Sequence, residues 1–216
     1  MLFIFDMGGV VTNSFNMEQL YSKLHISQKV FFYICRQLDV DIWNKLETGK
    51  MTSLEFWNEF SKRINYIQRA NIDGLDFGQN IISEIDWSLV PEINSDFFRL
   101  YFHPSKNMRT IELIKNLKKK HRVVCGTNTI QSHWENHMER GDYAFFNQTY
   151  ASNKIGFAKP DPEFFRLILE AENFAPEEAF FTDDKIENCE AARSVGINAV
   201  HFTDADSLFK QWSQYF

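Results

Sequence analysis

Acidic, hydroxyl and cationic side chains follow four short apolar runs of the chain, each beyond the point where a buried strand would end. They are Asp6, Thr127, Lys159 and the pair Asp183 and Asp184. The carboxyl ends of parallel strands meet at one edge of a sheet, where the ligands of open α/β folds bind. Carboxylates, a hydroxyl and an ammonium gathered at one edge are suited to binding and transferring a phosphoryl group.

Asp6 stands out because it follows the apolar residues Leu2–Phe5 and precedes two nearby glycines. Gly8 and Gly9 leave the backbone amides of Met7, Gly8 and Gly9 open to close approach by an anion. We therefore expect Met7 and Gly8 to help bind a phosphate beside the Asp6 carboxylate. Considered alone, the segment is also compatible with an ordinary turn or helix cap.

The adjacent carboxylates of Asp183 and Asp184 repel each other unless a cation joins them. Together with Asp6 they form a set of hard oxygen donors, which Mg²⁺ prefers as ligands. A backbone carbonyl, waters and a substrate phosphate would complete the coordination shell. The pattern therefore predicts a Mg²⁺ site, with a plain acidic loop as the alternative. Asn188, one helical turn further on, could order a metal-bound water.

Two further segments offer groups that would bind phosphoryl oxygens. The Thr127 hydroxyl and the loop amides, including that of Asn128, are potential donors, although Thr127 or Thr129 could instead cap the following helix. Lys159 is followed by a proline at the start of a predicted helix, which would hold the lysine in place. Its ammonium could then neutralise both a carboxylate and phosphoryl oxygens, and Lys154 is the less favoured candidate.

His133 and His137 form the other cluster that could bind a metal. They lie at positions i and i+4, on one face of a predicted helix. Glu135 is not at the position that a zinc protease helix requires, and no third ligand is evident. We therefore expect a surface helix here rather than a metal site.

The elements that must position these residues form a parallel α/β sheet, because short apolar runs alternate with helical patterns. The spacing between the last four strands suits single crossover helices, whereas about a hundred residues separate the first two, far more than a crossover needs. We therefore predict a core formed by residues 1–13 and 90–216, with an inserted subdomain formed by residues 14–89. The predicted strands are Leu2–Phe5, Arg122–Cys125, Asn147–Ala151, Ala179–Thr182 and Asn198–Phe202.

The inserted segment has the pattern of successive helices. Ser27 is a plausible N-cap for a helix that reaches Leu38, and a second helical piece covers Asp41–Leu46. The segment Thr52–Glu55 has the form of a capping box and opens the next helix. Asn80–Ile85 is predicted to form another.

Composition narrows the functional class. With 216 residues, of which 44% are hydrophobic, the chain can bury the core of one large domain or of a core with an insertion. A net charge of −6 argues against a nucleic-acid-binding surface. The three widely spaced cysteines do not form a disulfide framework.

No apolar stretch approaches the ~18 residues that span a bilayer, and the short N-terminal apolar run lacks the basic flank of a signal peptide. We therefore expect a cytoplasmic protein without membrane or nucleic-acid partners, and the oligomeric state is left open.

The order of the motifs resembles that of the haloacid dehalogenase-like hydrolase superfamily: Asp after the first strand, Thr after the second, Lys-Pro, then Asp-Asp after the fourth. The resemblance runs from Asp6 to Asp184, and the helical insertion lies where that superfamily carries a cap of the first type. It implies a Rossmann-like parallel sheet with an inserted helical cap. The segments that further resemble the bacterial sugar-1-phosphate phosphatase branch, which includes glucose-1-phosphate phosphatases, are Phe5–Val10, Trp43–Ser53, Thr127–Thr129, Lys159–Pro160 and Phe180–Asn188.

The resemblance implies a role for each site residue. Asp6 would attack phosphorus and form an aspartyl-phosphate that water then hydrolyses, which divides one difficult displacement into two. Thr127 and Lys159 would hold the phosphoryl oxygens. We therefore expect a Mg²⁺-dependent phosphatase of a small phosphorylated metabolite, for which a sugar phosphate is one candidate. The Mg²⁺ ligands would be Asp6, the Gly8 carbonyl, Asp184 and, directly or through water, Asp183.

One position departs from the superfamily pattern. Most phosphatases in it carry a second aspartate two residues after the nucleophile, as general acid and base, and this chain has Gly8 there. General acid–base assistance is typically worth ~10²–10⁴ in rate. The substrate would then need a better leaving group, such as an anomeric sugar phosphate or an acyl phosphate, or another donor, such as water or Glu47 of the cap, would replace the acid.

Two other functions stay open for such a chain. A regulatory relative could bind phosphometabolites without turning them over, although the sugar-1-phosphate branch also carries a glycine at the position of Gly8 and favours an active enzyme. A 2-haloacid dehalogenase would share the core but would need no magnesium site. The retained pair Asp183 and Asp184 therefore argues against the dehalogenase.

Overall fold

A parallel sheet forms the centre of the protein, and the computed structural model describes residues 1–37, 40–72 and 85–215, except for the side chains of residues 70–72. Within these residues five strands pair in the order β3-β2-β1-β4-β5, and every pair is parallel. The predicted Rossmann-like α/β fold is therefore confirmed. The strands are β1 (Leu2–Phe5), β2 (Arg122–Thr127), β3 (Gln148–Ala151), β4 (Ala179–Asp183) and β5 (Asn198–His201).

The first strand lies in the middle of this sheet. Phe5 at its end is opposite Cys125 of β2 and Thr182 of β4. β2 is longer than predicted, because Gly126 and Thr127 continue its pairing with β3. The carboxyl ends of β1, β2 and β4 therefore reach the same edge of the sheet, as the location of the predicted site requires.

Helices flank the sheet, and others form the inserted subdomain. Short 3₁₀ turns cover Asp142–Phe145, Pro176–Glu178 and Ser213–Tyr215. Among the described residues no helix combines the length and the apolar character needed to cross a bilayer. The described α-helices are α1 (Met17–Leu24), α2 (Gln28–Cys35), α3 (Ile42–Glu47), α4 (Ser53–Ile72), α5 (Phe97–Tyr101), α6 (Met108–Leu117), α7 (Gln131–Glu139), α8 (Ser152–Ile155), α9 (Pro162–Glu172), α10 (Ile186–Ser194) and α11 (Ala205–Trp212).

Side-chain caps start the helices of the insertion where the sequence predicts. Ser27 caps α2, and Asp41 caps α3. Thr52 and Glu55 form the predicted capping box of α4, with Thr52 N–H donating to Glu55 at 2.8 Å and Glu55 N–H donating to the Thr52 hydroxyl at 3.2 Å. α2 ends at Cys35, earlier than predicted, and Leu38 lies outside the described residues, as does most of the predicted helix Asn80–Ile85.

Three buried apolar clusters hold these elements together. Alternate side chains of β1 point to opposite faces of the sheet, so that Phe3 and Phe5 join one cluster while Leu2 and Ile4 join another. The third cluster is aromatic-rich and lies within the insertion, although Phe97 and Phe98 of α5 also belong to it. The predicted boundary between insertion and core, at residues 89 and 90, stays a prediction.

Candidate active site

Lys159 lies at the centre of the polar groups at the carboxyl edge of the sheet. Its Nζ atom donates to Asp6 Oδ1 at 2.8 Å, to Asp183 Oδ2 at 2.6 Å and to the Gly126 carbonyl at 2.8 Å. These partners use all three ammonium protons. The side chain is 1% exposed, so the ammonium is held away from water by groups at the ends of β1, β2 and β4.

Lys154 is not part of this cluster. Its Nζ atom lies over the Trp134 ring, 5.6 Å from the ring centroid. The structure therefore brings Lys159, and not the less favoured Lys154, to the predicted carboxylates.

The residues that follow Lys159 start α9 as the sequence predicts. Asp161 is the N-cap and accepts a hydrogen bond from the Glu163 N–H at 2.9 Å, and Pro162 is the first helical residue. The Lys159–Pro160 peptide bond is cis. On its other side, Asn128 contacts the Lys159 backbone twice: its Nδ2 donates to the Lys159 carbonyl and its Oδ1 accepts from the Lys159 N–H, both at 2.8 Å.

Asp183 is surrounded by hydrogen-bond donors. Besides Lys159, the Asn188 side-chain amide donates to Asp183 Oδ2 at 2.9 Å, and the Lys185 N–H donates to Asp183 Oδ1 at 2.9 Å. The Asn188 amide, which we expected beside a metal-bound water, thus lies directly on the carboxylate. Both oxygens of Asp183 are oriented before any ligand binds.

Asp6, Asp183 and Asp184 form one carboxylate cluster. One oxygen of each lies within 4.8 Å of the others. Burial and the charge of Asp183 raise the pKa of Asp184, whereas Lys185 and Lys159 lower it. Three carboxylates facing one ammonium leave two negative charges unbalanced within the cluster. A divalent cation with a preference for hard oxygen ligands would balance them, so the residues present fit Mg²⁺.

Gly9 creates the space that Asp184 occupies. A Cβ atom on Gly9 would overlap the Asp184 carboxylate, and the Gly9 φ angle is +82°, in the region that favours glycine. The Gly9 N–H donates to the Thr12 carbonyl at 2.7 Å. The expectation that this amide faces an anion is therefore wrong, because a turn hydrogen bond already uses it.

The other two residues of the turn remain compatible with an anion site. The Met7 N–H faces the Asp6 carboxylate and lowers its pKa. At Gly8 an added Cβ atom would meet nothing closer than the Ser14 Cα at 3.9 Å. A Cβ atom at this position would therefore be in ordinary van der Waals contact with Ser14, without overlap.

The charge of Asp6 is set by opposing influences. The net result is a pKa raised from 3.8 to about 6: burial is the largest influence and raises it, Lys159 lowers it, and the charge of Asp183 raises it. Burial would lower the pKa of Lys159, but Asp6 and Asp183 raise it above its ordinary value, so the lysine remains a cation. Asp6 is thus an ionised carboxylate at neutral pH, held mostly by one cationic partner.

Thr127 ends β2 and is 3% exposed. Its hydroxyl donates to the Asn128 carbonyl at 3.3 Å, and the Thr129 N–H donates to the Ser152 hydroxyl at 2.9 Å. The N-cap residue of α7 is Ile130, without a side-chain capping bond. The alternative that Thr127 or Thr129 caps this helix is therefore wrong, and the Thr127 hydroxyl stays at the carboxyl edge of the sheet.

The two histidines of α7 face inward, so the expectation of a surface helix is wrong for this face. The His133 ring stacks on Phe102 with centroids 3.8 Å apart, and burial lowers its pKa to about 3. His137 Nδ1 lies 2.9 Å from the buried carboxylate of Asp142. Both imidazoles pack within the protein, away from the predicted metal ligands.

The insertion reaches the same edge of the sheet through the loop after α3. A Cβ atom on Gly49 would overlap the Asn153 carbonyl in α8, and the Gly49 φ angle is +69°. Glu47, the last residue of α3, is half-buried; burial raises its pKa, whereas Lys185, next to Asp184, lowers it. The loop after α3 therefore contacts α8, and Glu47 lies near enough to Lys185 for their charges to interact.

Two contributors to the site were not predicted from the sequence. They are the Gly126 carbonyl, which accepts from Lys159, and His201, whose Nε2 lies 2.9 Å from the Asp184 carbonyl. Each lies at or beyond the carboxyl end of a strand, and that position was the available signal. Contacts made by backbone groups cannot be recognised from residue types.

The chain is similar to known proteins in sequence and in fold. A family model described as haloacid dehalogenase-like hydrolase matches residues 1–196. A crystal structure of a HAD family enzyme from Bacteroides thetaiotaomicron, in complex with magnesium and inorganic phosphate, superposes with a TM-score of 0.64 and 25% identity. The superposition covers 96% of this chain and 98% of that one.

Two curated relatives are also similar. Drimenol cyclase of Aspergillus calidoustus is 25% identical over 213 residues, which are 99% of this chain and 36% of the cyclase. The sesquiterpene phosphatase of Aspergillus oryzae is 38% identical over 64 residues, which are 30% of this chain and 33% of that protein. The matched parts therefore span about a third of the length of these relatives.

Proposed function

Since the chain belongs to the haloacid dehalogenase-like hydrolase family, we propose that it is a Mg²⁺-dependent phosphatase of a small phosphorylated metabolite. The observation that carries the proposal is the contact of Lys159 with Asp6 and Asp183, beside Asp184. Such a set combines a nucleophile, a cation for phosphoryl oxygens and a hard-oxygen metal site. The phosphatase and the magnesium–phosphate complex among the similar proteins support it.

In this mechanism Asp6 attacks phosphorus, its new O–P bond forms as the bond to the leaving group breaks, and water later hydrolyses the aspartyl-phosphate. Lys159 keeps Asp6 ionised and offsets negative charge on the phosphoryl oxygens. The Thr127 hydroxyl and the amides of Met7 and Gly8 donate to the same oxygens. Bound Mg²⁺ would supply further positive charge there, and its ligands would be Asp6, Asp184, the Gly8 carbonyl and, directly or through water, Asp183.

The absence of an acidic side chain at Gly8 bears on the substrate class. Without an acid at this position the leaving oxygen departs with more negative charge, which disfavours simple alkyl phosphates. An anomeric sugar phosphate or an acyl phosphate has a better leaving group and would lose less rate. A sugar phosphate is therefore our preferred candidate, and Glu47 of the insertion is the side chain that we propose as a substitute donor.

The test is a phosphometabolite panel with Mg²⁺, run on the wild type and on Asp6→Asn. We expect the wild type to release phosphate and Asp6→Asn to lose this activity by at least ~10³-fold, because an amide cannot act as the nucleophile. Removal of the metal with a chelator should also abolish turnover by the wild type. Unchanged phosphate release by Asp6→Asn would disprove the mechanism.

The same panel on Gly8→Asp asks whether the missing acid limits the rate. An added Cβ atom at Gly8 overlaps no neighbour, and we expect substrates with poor leaving groups to gain most. The second candidate function, a regulatory protein that binds phosphometabolites without turnover, is motivated by the same glycine. It predicts binding without Asp6-dependent turnover across the panel. A 2-haloacid dehalogenase would instead release chloride from a haloacid without added metal.

A further inference from the structure

The Asn128 side chain forms hydrogen bonds with both the N–H and the carbonyl of Lys159. We propose that Asn128 is a positioning residue that holds Lys159 in its catalytic place, rather than a side chain that binds substrate phosphate. This inference rests on the proposed phosphatase function. It concerns the two reciprocal hydrogen bonds of 2.8 Å between the Asn128 amide and the Lys159 peptide groups.

The amide of Asn128 is oriented by these bonds. Its Oδ1 accepts from the Lys159 N–H, and one of its two Nδ2 protons goes to the Lys159 carbonyl. An asparagine amide has one oxygen and one NH₂ group, so both functional groups of Asn128 are engaged with Lys159. A backbone N–H and carbonyl in an irregular segment also need such partners when they are withdrawn from water.

Lys159 needs a fixed backbone because its side chain is long and its targets are spread over three strands. Its ammonium contacts Asp6 at the end of β1, Gly126 in β2 and Asp183 in β4. Asn128 itself follows β2 directly. The reciprocal bonds therefore tie the segment before α9 to the sheet edge from which Lys159 must reach the nucleophile.

A displaced Lys159 would affect the chemical step more than substrate binding. The lysine contacts Asp6, so a shift of its backbone moves the cation relative to the attacking oxygen. Misplacement by about 1 Å can cost roughly 100-fold in rate. A phosphate-binding role for Asn128 would instead weaken the binding of substrate and of inorganic phosphate.

The experiment compares Asn128→Ala with Asn136→Ala. Asn136 is a half-buried asparagine on α7, and its side-chain oxygen has no hydrogen-bond partner among the described residues. The wild type and both variants are assayed for kcat, KM and inhibition by inorganic phosphate, with the best substrate of the panel. We expect kcat of Asn128→Ala to fall roughly 10- to 100-fold. Its KM and its phosphate inhibition constant should change less than about threefold. Asn136→Ala should behave like the wild type.

A second readout does not depend on turnover. Acetylation of the Lys159 amine by acetic anhydride, followed by peptide mass spectrometry, reports whether the buried ammonium has been released. We expect slow modification in the wild type and in Asn136→Ala, and faster modification in Asn128→Ala. Asn128→Gln keeps the amide on a longer stem, so it should recover part of kcat; it also replaces Asn128→Ala if that variant does not fold.

The outcomes separate this inference from the proposed function. A wild type without Asp6-dependent turnover contradicts the phosphatase itself. An active wild type whose Asn128 variants show raised KM and phosphate inhibition constants at unchanged kcat would overturn the positioning role, as would unchanged kcat together with unchanged Lys159 acetylation.

Discussion

At the scale of single residues, the arrangement of the proposed metal ligands depends on the absence of a Cβ atom at Gly9. Gly9 has no Cβ, and the Asp184 carboxylate occupies the space where one would lie. The glycine also adopts a positive φ angle of +82°, which a side chain would strain. Gly9 is therefore required both by its backbone conformation and by the position of Asp184.

Gly9→Ala should weaken Mg²⁺ binding roughly 10- to 100-fold, because Asp184 must move away from the other carboxylates. Calorimetric titration with Mg²⁺ and the Mg²⁺ dependence of turnover would measure the change. Gly141→Ala is the matched control, since Gly141 also has a positive φ angle but nothing within 4 Å of an added Cβ. Equal Mg²⁺ affinity in the two variants would contradict the role that we assign to Gly9.

Residue types and their positions after strands were sufficient to find the charged members of the site. Asp6, Lys159 and Asp183 are brought together as the sequence predicts. The contacts of Asn128 could not be foreseen in the same way, because an asparagine after a strand can equally donate to a ligand or to a distant backbone. Whether Asn128 donates to a ligand or to the backbone depends on how the loop that carries Lys159, 31 residues away, folds.

At the scale of elements, the insertion is joined to the core by a buried polar network. The Ser132 hydroxyl at the start of α7 contacts the Ser53 hydroxyl at the start of α4 and the Asp96 carboxylate. Trp57 of α4 also donates from Nε1 to Asp96 at 3.1 Å. Because α7 begins just after Thr129, this network links the position of α4 to the loop that carries Thr127.

Ser132→Ala should destabilise the protein by about 1–3 kcal/mol, because two buried polar groups lose a partner. Urea unfolding would measure the loss. Ser194→Ala, which removes an exposed hydroxyl of α10, should change the free energy of unfolding by less than ~0.5 kcal/mol. A double-mutant cycle with Ser53→Ala should show non-additive effects, and additive effects would contradict the coupling.

Elements were predictable where one pattern dominates. Apolar runs located each strand to within a residue or two, and the predicted capping residues Ser27 and Thr52 located two helix starts. Ends were harder, because α2 stops at Cys35 although its apolar pattern continues. The inward face of α7 was missed because its stripe consists of histidines, which become core residues only when aromatic neighbours such as Phe102 surround them.

At the scale of the whole molecule, stability should depend on pH through His133. Burial and the neighbouring His137 lower the pKa of His133 to about 3, and a hydrogen bond to the Phe98 backbone opposes them. The unfolded chain, with an ordinary imidazole, binds a proton below about pH 6.5, whereas the folded chain does not. Stability is therefore lost as the pH falls below 6.5, in proportion to the protons that only the unfolded chain binds.

His133→Phe should flatten this dependence, since the phenyl ring can still stack on Phe102 but cannot bind a proton. Between pH 7.5 and pH 5 the imidazole costs the wild type about 2 kcal/mol of unfolding free energy, and the variant should lose that much less. Chemical denaturation at the two pH values would measure the difference. His103→Phe, at an exposed position, should retain the wild-type loss, and an equal loss in His133→Phe would contradict the assignment.

The central position of β1 affects how the chain folds during its synthesis. Leu2–Phe5 pair with β2 and β4, whose residues are translated long afterwards. At ~5–20 residues per second, roughly 9–35 s separate the synthesis of Asp6 from that of Asp183. During this time the nascent chain carries an unpaired strand of four apolar residues, all fully buried in the finished fold. A ribosome-bound chain halted before Asp183 should therefore be inactive and a good substrate for chaperones.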